Sequence, residues 1–175
     1  MRRLTWMFAL ACLCLWCPTL FAQEKNPVAA AIREALSGRS KNIVAAAEEM
    51  PADKYAFKAT ADQMTFGHLT THIADANFLF CSKIGGVPAP ELPKVADTDP
   101  KDKLVERMKA SFDFCTTALA KLDDSNLGET LNLFGERKAS RAAAILMLAG
   151  SWADHYQLQA VYLRLNGHVP PTAKK

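Results

Sequence analysis

Apolar residues recur at helical spacing in four stretches of this chain, and no stretch alternates long enough to read as a strand. The first stretch runs from Val28 to about Met50 and is rich in Ala, Glu, Lys and Arg, which are good helix formers. Pro51 ends it by pushing Met50 out of helical geometry. An extended linker, Pro51 to Met64, then carries Tyr55 and Phe57. Thr65 is placed to cap a second helix, Phe66 to about Ile84, which Gly85-Gly86 stops. Pro88, Pro90, Pro93 and Pro100 bar any regular helix between Val87 and Pro100. A third helix is expected from Lys101 to about Leu122, then a loop from Asp123 to Gly135. A fourth and longest helix runs from about Lys138 to Asn166, with Gly167 as its stop and Pro170-Pro171 beyond.

The fourth helix carries the clearest pattern. Ala144, Leu148, Ser151, His155, Leu158, Tyr162 and Leu165 follow one another at alternating steps of four and three, the spacing of a core-facing seam in a helix bundle. Two polar residues, Ser151 and His155, sit one turn apart in its middle. On the second helix Leu69, His72, Ala76 and Leu79 make a similar stripe, again with a histidine inside. The fold class is therefore all-α, a single four-helix bundle, which suits 175 residues.

Residues 1–22 differ from the rest. Arg2 and Arg3 precede an apolar block from Leu4 to Phe21, and Ala22 precedes the polar Gln23. This describes a secretory signal peptide cut after Ala22, the alternative being an uncleaved membrane anchor. Export would place the protein in a periplasmic or extracellular space, with no membrane contact after cleavage. Removing Arg2 and Arg3 takes the net charge from +3 to +1, which leaves no basic footprint for nucleic acid.

The exported chain keeps Cys81 and Cys115, and in an oxidising compartment such a pair normally forms a disulfide; two buried free thiols are the alternative. The bond would also decide the topology. Antiparallel second and third helices would hold the two cysteines about ten residues out of level, roughly 15 Å. A disulfide needs Cα atoms within about 7 Å. Parallel helices remove the mismatch, and the proline-rich stretch, at about 3.3 Å per residue, is long enough to cross back along a helix.

Candidate chemistry rests on the histidines. His72 and His155 occupy the presumed inward stripes of two helices, and bundle interiors are where facing helices build metal sites. His68 lies one turn before His72 and can point to the same side. His168 falls in the tail beyond the last helix. The competing reading makes the inward histidines ordinary hydrogen-bonded core residues. Ser151 with His155 suggests a nucleophile and base, but no acid is placed to orient the imidazole. The chain after residue 22 has no HExxH, no CxxC and no glycine-rich phosphate loop.

The segment Thr65-Phe66-Gly67-His68-Leu69-Thr70-Thr71-His72-Ile73-Ala74-Asp75-Ala76-Asn77 resembles the second helix of the DinB family. Asp154-His155-Tyr156, followed by Tyr162-Leu163-Arg164-Leu165-Asn166-Gly167 and Val169-Pro170-Pro171, is similar to that family's last helix and tail. Cys81 and the segment Ser111-Phe112-Asp113-Phe114-Cys115 match cysteine positions of exported members. The resemblance covers most of residues 26–171, leaving 172–175 as a short tail. It implies a four-helix bundle with a long crossover between helices two and three. It also implies a divalent metal held by three histidines, one on the second helix and two a turn apart on the last, serving thiol-dependent transfer or isomerisation.

The second-helix ligand falls on His72 and the later last-helix ligand on His155, but the earlier one falls on Ser151. Gln157 and Leu158 stand where exported relatives show Gly and Asn. A serine hydroxyl is a poor substitute for imidazole at such a metal. His68 is the candidate replacement. Two functional readings follow. One is an exported, degenerate enzyme of thiol-transferase or hydrolase type using zinc, nickel or iron at His72 and His155. The other is a non-catalytic bundle that has lost its metal and binds a small molecule or a protein partner. Either form leaves a homodimer open.

Overall fold

A computed structural model describes residues 25–174. The expected signal segment, residues 1–22, lies outside the described residues. Four helices dominate: α1 Pro27–Glu49, α2 Phe66–Gly85, α3 Lys101–Leu119 and α4 Arg141–Leu165. Each packs on two others, so that going round the bundle the order is α1, α3, α2, α4. Among the described residues no helix is long and apolar enough to cross a membrane.

The helix ends follow local chemistry. Thr65 accepts a hydrogen bond from the backbone N–H of His68 at 3.0 Å and starts α2, as its sequence position predicted. Gly86, at φ 66°, ends it in a left-handed conformation that a β-carbon would oppose. Pro27 opens α1, where a missing N–H costs nothing. The carboxylate of Asp124, distant in sequence, accepts from the backbone N–H groups of Val28 and Ala29 at 2.9 Å each.

Helices α2 and α3 run parallel. Asp75 pairs with Arg107, Asn77 bonds Ser111, and Cys81 is joined to Cys115, so the partners advance together along both helices. The disulfide spans a Cα–Cα distance of 5.1 Å. The segment between Gly86 and Pro100 carries the chain back along the bundle. Arg107 ties it down by donating to the carbonyl of Pro93 at 3.2 Å. α2 and α4 run antiparallel: Phe66 packs on Tyr162, His72 meets His155, and Asn77 bonds Trp152.

Several expectations need correction. Lys138 does not open α4. Lys138–Ser140 is a short strand, β2, paired antiparallel with β1, Thr130–Asn132. Ser140 is the cap of α4, accepting from the backbone N–H of Ala143 at 3.2 Å. Secondly, α3 ends at Leu119, and Leu122 is buried outside it. Thirdly, the core face of α4 is broader than the expected seam and turned from it. Ala144, Leu148 and Tyr162 are buried as expected, but Ile145, Trp152, Tyr156, Gln159 and Leu163 are buried too, while Ser151, His155 and Leu158 are half-buried at its edge and Leu165 is 57% exposed. Trp152, the largest fully buried side chain, takes an inward position there. The linker also departs from a fully extended form: Ala52–Lys54 makes a turn of 3-10 helix, and Tyr55 is buried with its hydroxyl donating to the carbonyl of Ala47 at 2.7 Å.

Candidate functional site

The α2 and α4 faces that meet near the middle of the bundle bring the sequence-designated residues together. On α2 the inward positions belong to Phe66, Leu69, Ile73 and Asn77. His68 and His72 consequently lie on the adjacent exposed edge, not in the interior. On α4 the inward position belongs to Trp152, which leaves Ser151 and His155 half-buried on the edge facing α2. The site is thus a rim between two helices, walled by core on one side and open to water on the other.

Three imidazoles form a row along this rim. The rings of His72 and His155 have centroids 5.0 Å apart and meet edge to face. Those of His68 and His72 are 6.4 Å apart and nearly parallel. At one end of the row Nδ1 of His155 lies 3.0 Å from Oγ of Ser151. At the other end Nδ1 of His68 lies 3.1 Å from Oδ2 of Asp97. His72, between them, has no hydrogen-bond partner for its ring among the described residues. His168 lies elsewhere, half-buried with Nδ1 3.7 Å from Oε1 of Glu49 on α1.

Burial pushes the His155 imidazolium below its ordinary pKa, and the neighbouring His72 adds to the shift; a backbone interaction at Ser151 and the charge of Asp154 oppose it. The Ser151 hydroxyl can either donate to Nδ1 of His155 or accept from Nδ1–H. No carboxylate bonds the His155 ring among the described residues, so the third member of a nucleophile–base–acid relay is missing.

Asp97 is the site residue that periodicity missed. It belongs to the proline-rich crossover, 29 residues after His68, and no helical spacing points to it. Gly67 brings it in. A β-carbon on Gly67 would stand 2.4 Å from the carbonyl oxygen of Asp97, so the crossover docks on α2 only because this position is glycine. A cleft of about 430 Å³, lined by Tyr55, Thr65, Asp97, Asp99 and Asp102 among others, opens beside the Asp97 end of the row.

The donor set does not fit a three-histidine centre at positions 72, 151 and 155. Position 151 offers a hydroxyl, and that hydroxyl is engaged by His155. As the side chains stand, no group of three or more His, Cys, Asp or Glu residues among the described ones is placed to hold a metal ion.

The family model described as the DinB superfamily matches residues 35–158, which contain His72, Ser151 and His155. No curated protein matches the chain. Among solved structures, a DinB-like protein from Bacillus subtilis superposes with a TM-score of 0.65 at 23% identity, covering 79% of this chain and 93% of its own. A DinB-like protein from Bacillus cereus superposes with a TM-score of 0.67 at 14% identity, covering 81% of this chain and 95% of its own.

Proposed function

This chain belongs to the DinB superfamily, and on that premise we propose that it is an exported ligand-binding bundle in which the family's catalytic three-imidazole centre has been dismantled. The observation that carries this reading is the 3.0 Å contact between Ser151 Oγ and His155 Nδ1. At the family's third ligand position the chain spends a hydroxyl on orienting its neighbour instead of presenting a metal donor. Zinc, nickel and iron sites favour imidazole over a neutral hydroxyl at such a position. The rim remains polar and open, and the cleft beside Asp97 offers concave space for a small ligand. The Cys81–Cys115 bond supports export, because structural disulfides persist in oxidising compartments.

A second reading, a residual metal-dependent thiol-transferase or hydrolase, is favoured by one observation: the 5.0 Å spacing of the His72 and His155 rings. Turnover separates the two. The protein lacking residues 1–22 is assayed with zinc, nickel or ferrous iron for thiol transfer to an electrophile and for ester hydrolysis. The binding reading expects rates equal to those of the free metal. Turnover above that background, lost in His155→Ala, would reject it.

A further inference from the structure

We propose that Ser151 and His155 are a metal-free nucleophile–base pair that takes an acyl group from an activated ester and keeps it on Ser151 Oγ. The inference goes beyond the binding reading and needs no ion on the rim.

The bonding of the hydroxyl carries it. A serine or threonine inside a helix commonly donates back to a backbone carbonyl three or four residues earlier. Thr70, Ser111, Thr116 and Thr117 all do so, to the carbonyls of Phe66, Met108, Phe112 and Asp113. Ser151, in the middle of α4, departs from that habit: its Oγ lies 3.0 Å from Nδ1 of His155 instead. With the ring proton of His155 on Nε2, Nδ1 carries the lone pair and the hydroxyl donates to it. That is the contact of a nucleophile with its base. His72 meets the His155 ring edge to face at 5.0 Å and steadies its plane, the part a carboxylate plays in a relay of three. Ser151 is half-buried, and the neighbouring Gly150 is exposed with open space where a β-carbon would stand. A carbonyl carbon can therefore reach Oγ from the solvent side.

The step balances without a co-reactant. Oγ attacks the carbonyl carbon while Nδ1 of His155 takes the hydroxyl proton. The bond from that carbon to the leaving oxygen then breaks, and the leaving group departs with the proton. The products are acyl-serine and a free phenol. Backbone N–H groups around Ser151 are spent within α4, so no oxyanion hole assists. Only an acyl group on a good leaving group, such as a phenyl ester, reacts. Acyl-serine is an alkyl ester with a poor leaving group, so the acyl group stays and no turnover follows.

The pair is tested with p-nitrophenyl acetate, given in chelator to the protein lacking residues 1–22. A burst of one p-nitrophenol per chain is expected, with a single acetyl group mapped to Ser151 by peptide mass spectrometry. Ser151→Ala should lose the burst, and His155→Gln should slow it at least tenfold. Both residues lie at the edge of the core, so these changes leave the fold intact. His72→Ala should slow the burst, and His72→Phe, which keeps a ring against His155, should restore it; equal slowing in both would take the positioning role from His72. Acetyl groups on lysines alone, or Ser151 acetylated as fast in His155→Gln, overturn the pair and leave the binding-bundle reading standing. Turnover that depends on zinc, nickel or iron would reject that reading and leave the Ser151 acetylation, formed in chelator, untouched.

Discussion

Oδ1 of Asn77 on α2 accepts the indole N–H of Trp152 on α4 at 2.7 Å, and both side chains are buried. The amide of the same asparagine donates to Ser111 on α3 at 3.0 Å. One side chain therefore locks three helices, and it does so one turn from the imidazole row. It fixes the rotation of α4 about its axis, and that rotation puts Ser151 and His155 on the rim.

Replacing Asn77 with Leu keeps the volume and strands the Trp152 N–H without an acceptor. An orphaned buried donor costs about 1–3 kcal/mol, and Ser111 loses a partner as well. Urea denaturation should show Asn77→Leu less stable by roughly 2–3 kcal/mol. A loss below about 0.5 kcal/mol would mean that apolar packing alone sets the rotation of α4.

This pair also explains how far the sequence could be read. Helix existence, the Thr65 cap and the parallel course of α2 and α3 were legible, because capping chemistry is local and a Cys81–Cys115 bond at these levels of the two helices favours a parallel pair. The rotation of α4 was not. Its apolar residues occur nearly all round, so a seam continuing from Ala144 and Leu148 through Ser151 and His155 reads as well as the true one, which continues from them through Trp152, Tyr156 and Gln159. Buried Gln159 is itself a polar residue that periodicity discounts. The same ambiguity placed His72 inside, whereas Ile73 takes the inward position. Asp97 was out of reach because a proline-rich crossover has no period.

The disulfide closes a loop across 34 residues of sequence. In the chain-entropy model that restricts the unfolded chain by about 3–4 kcal/mol. The double variant Cys81→Ala/Cys115→Ala should lose stability of that order, and the protein lacking residues 1–22 should show no free thiol under denaturing, non-reducing conditions. Two reactive thiols per chain in the exported protein would contradict the bond.

Stability of the metal-free protein should fall with acid through His155. Its folded-state pKa lies below the ordinary value of about 6.5, so the unfolded chain binds the proton more tightly. The contribution is whole above that value and is lost as pH drops toward the folded pKa. Thermal melts in chelator from pH 7.5 to pH 5 should therefore decline, and less steeply in His155→Gln. Parallel profiles for the two proteins would remove His155 from the account.

Gly67→Ala should damage the rim without touching an imidazole. The added methyl would stand 2.4 Å from the Asp97 carbonyl and 3.4 Å from that of Tyr55, both backbone atoms. Relief requires the crossover to lift, which carries Asp97 away from His68. Overpacking of this kind costs typically about 1–3 kcal/mol. Urea denaturation should show that loss, and unchanged stability would mean that the crossover can shift away from α2 without cost.

The strongest test of the dismantled centre is to rebuild it. Ser151→His returns imidazole to the family's third position, one turn from His155 on α4, and removes the hydroxyl that now engages the His155 ring at 3.0 Å. The rings of His72 and His155 already stand 5.0 Å apart, so the added donor completes a set of three with one tetrahedral position left to water. Two imidazoles and water make an incomplete set for a tight site. Calorimetric titration should therefore show zinc bound at least tenfold more tightly by Ser151→His than by the unmodified protein lacking residues 1–22. Equal affinities would mean that the loss of imidazole at position 151 is not what separates this rim from a metal centre.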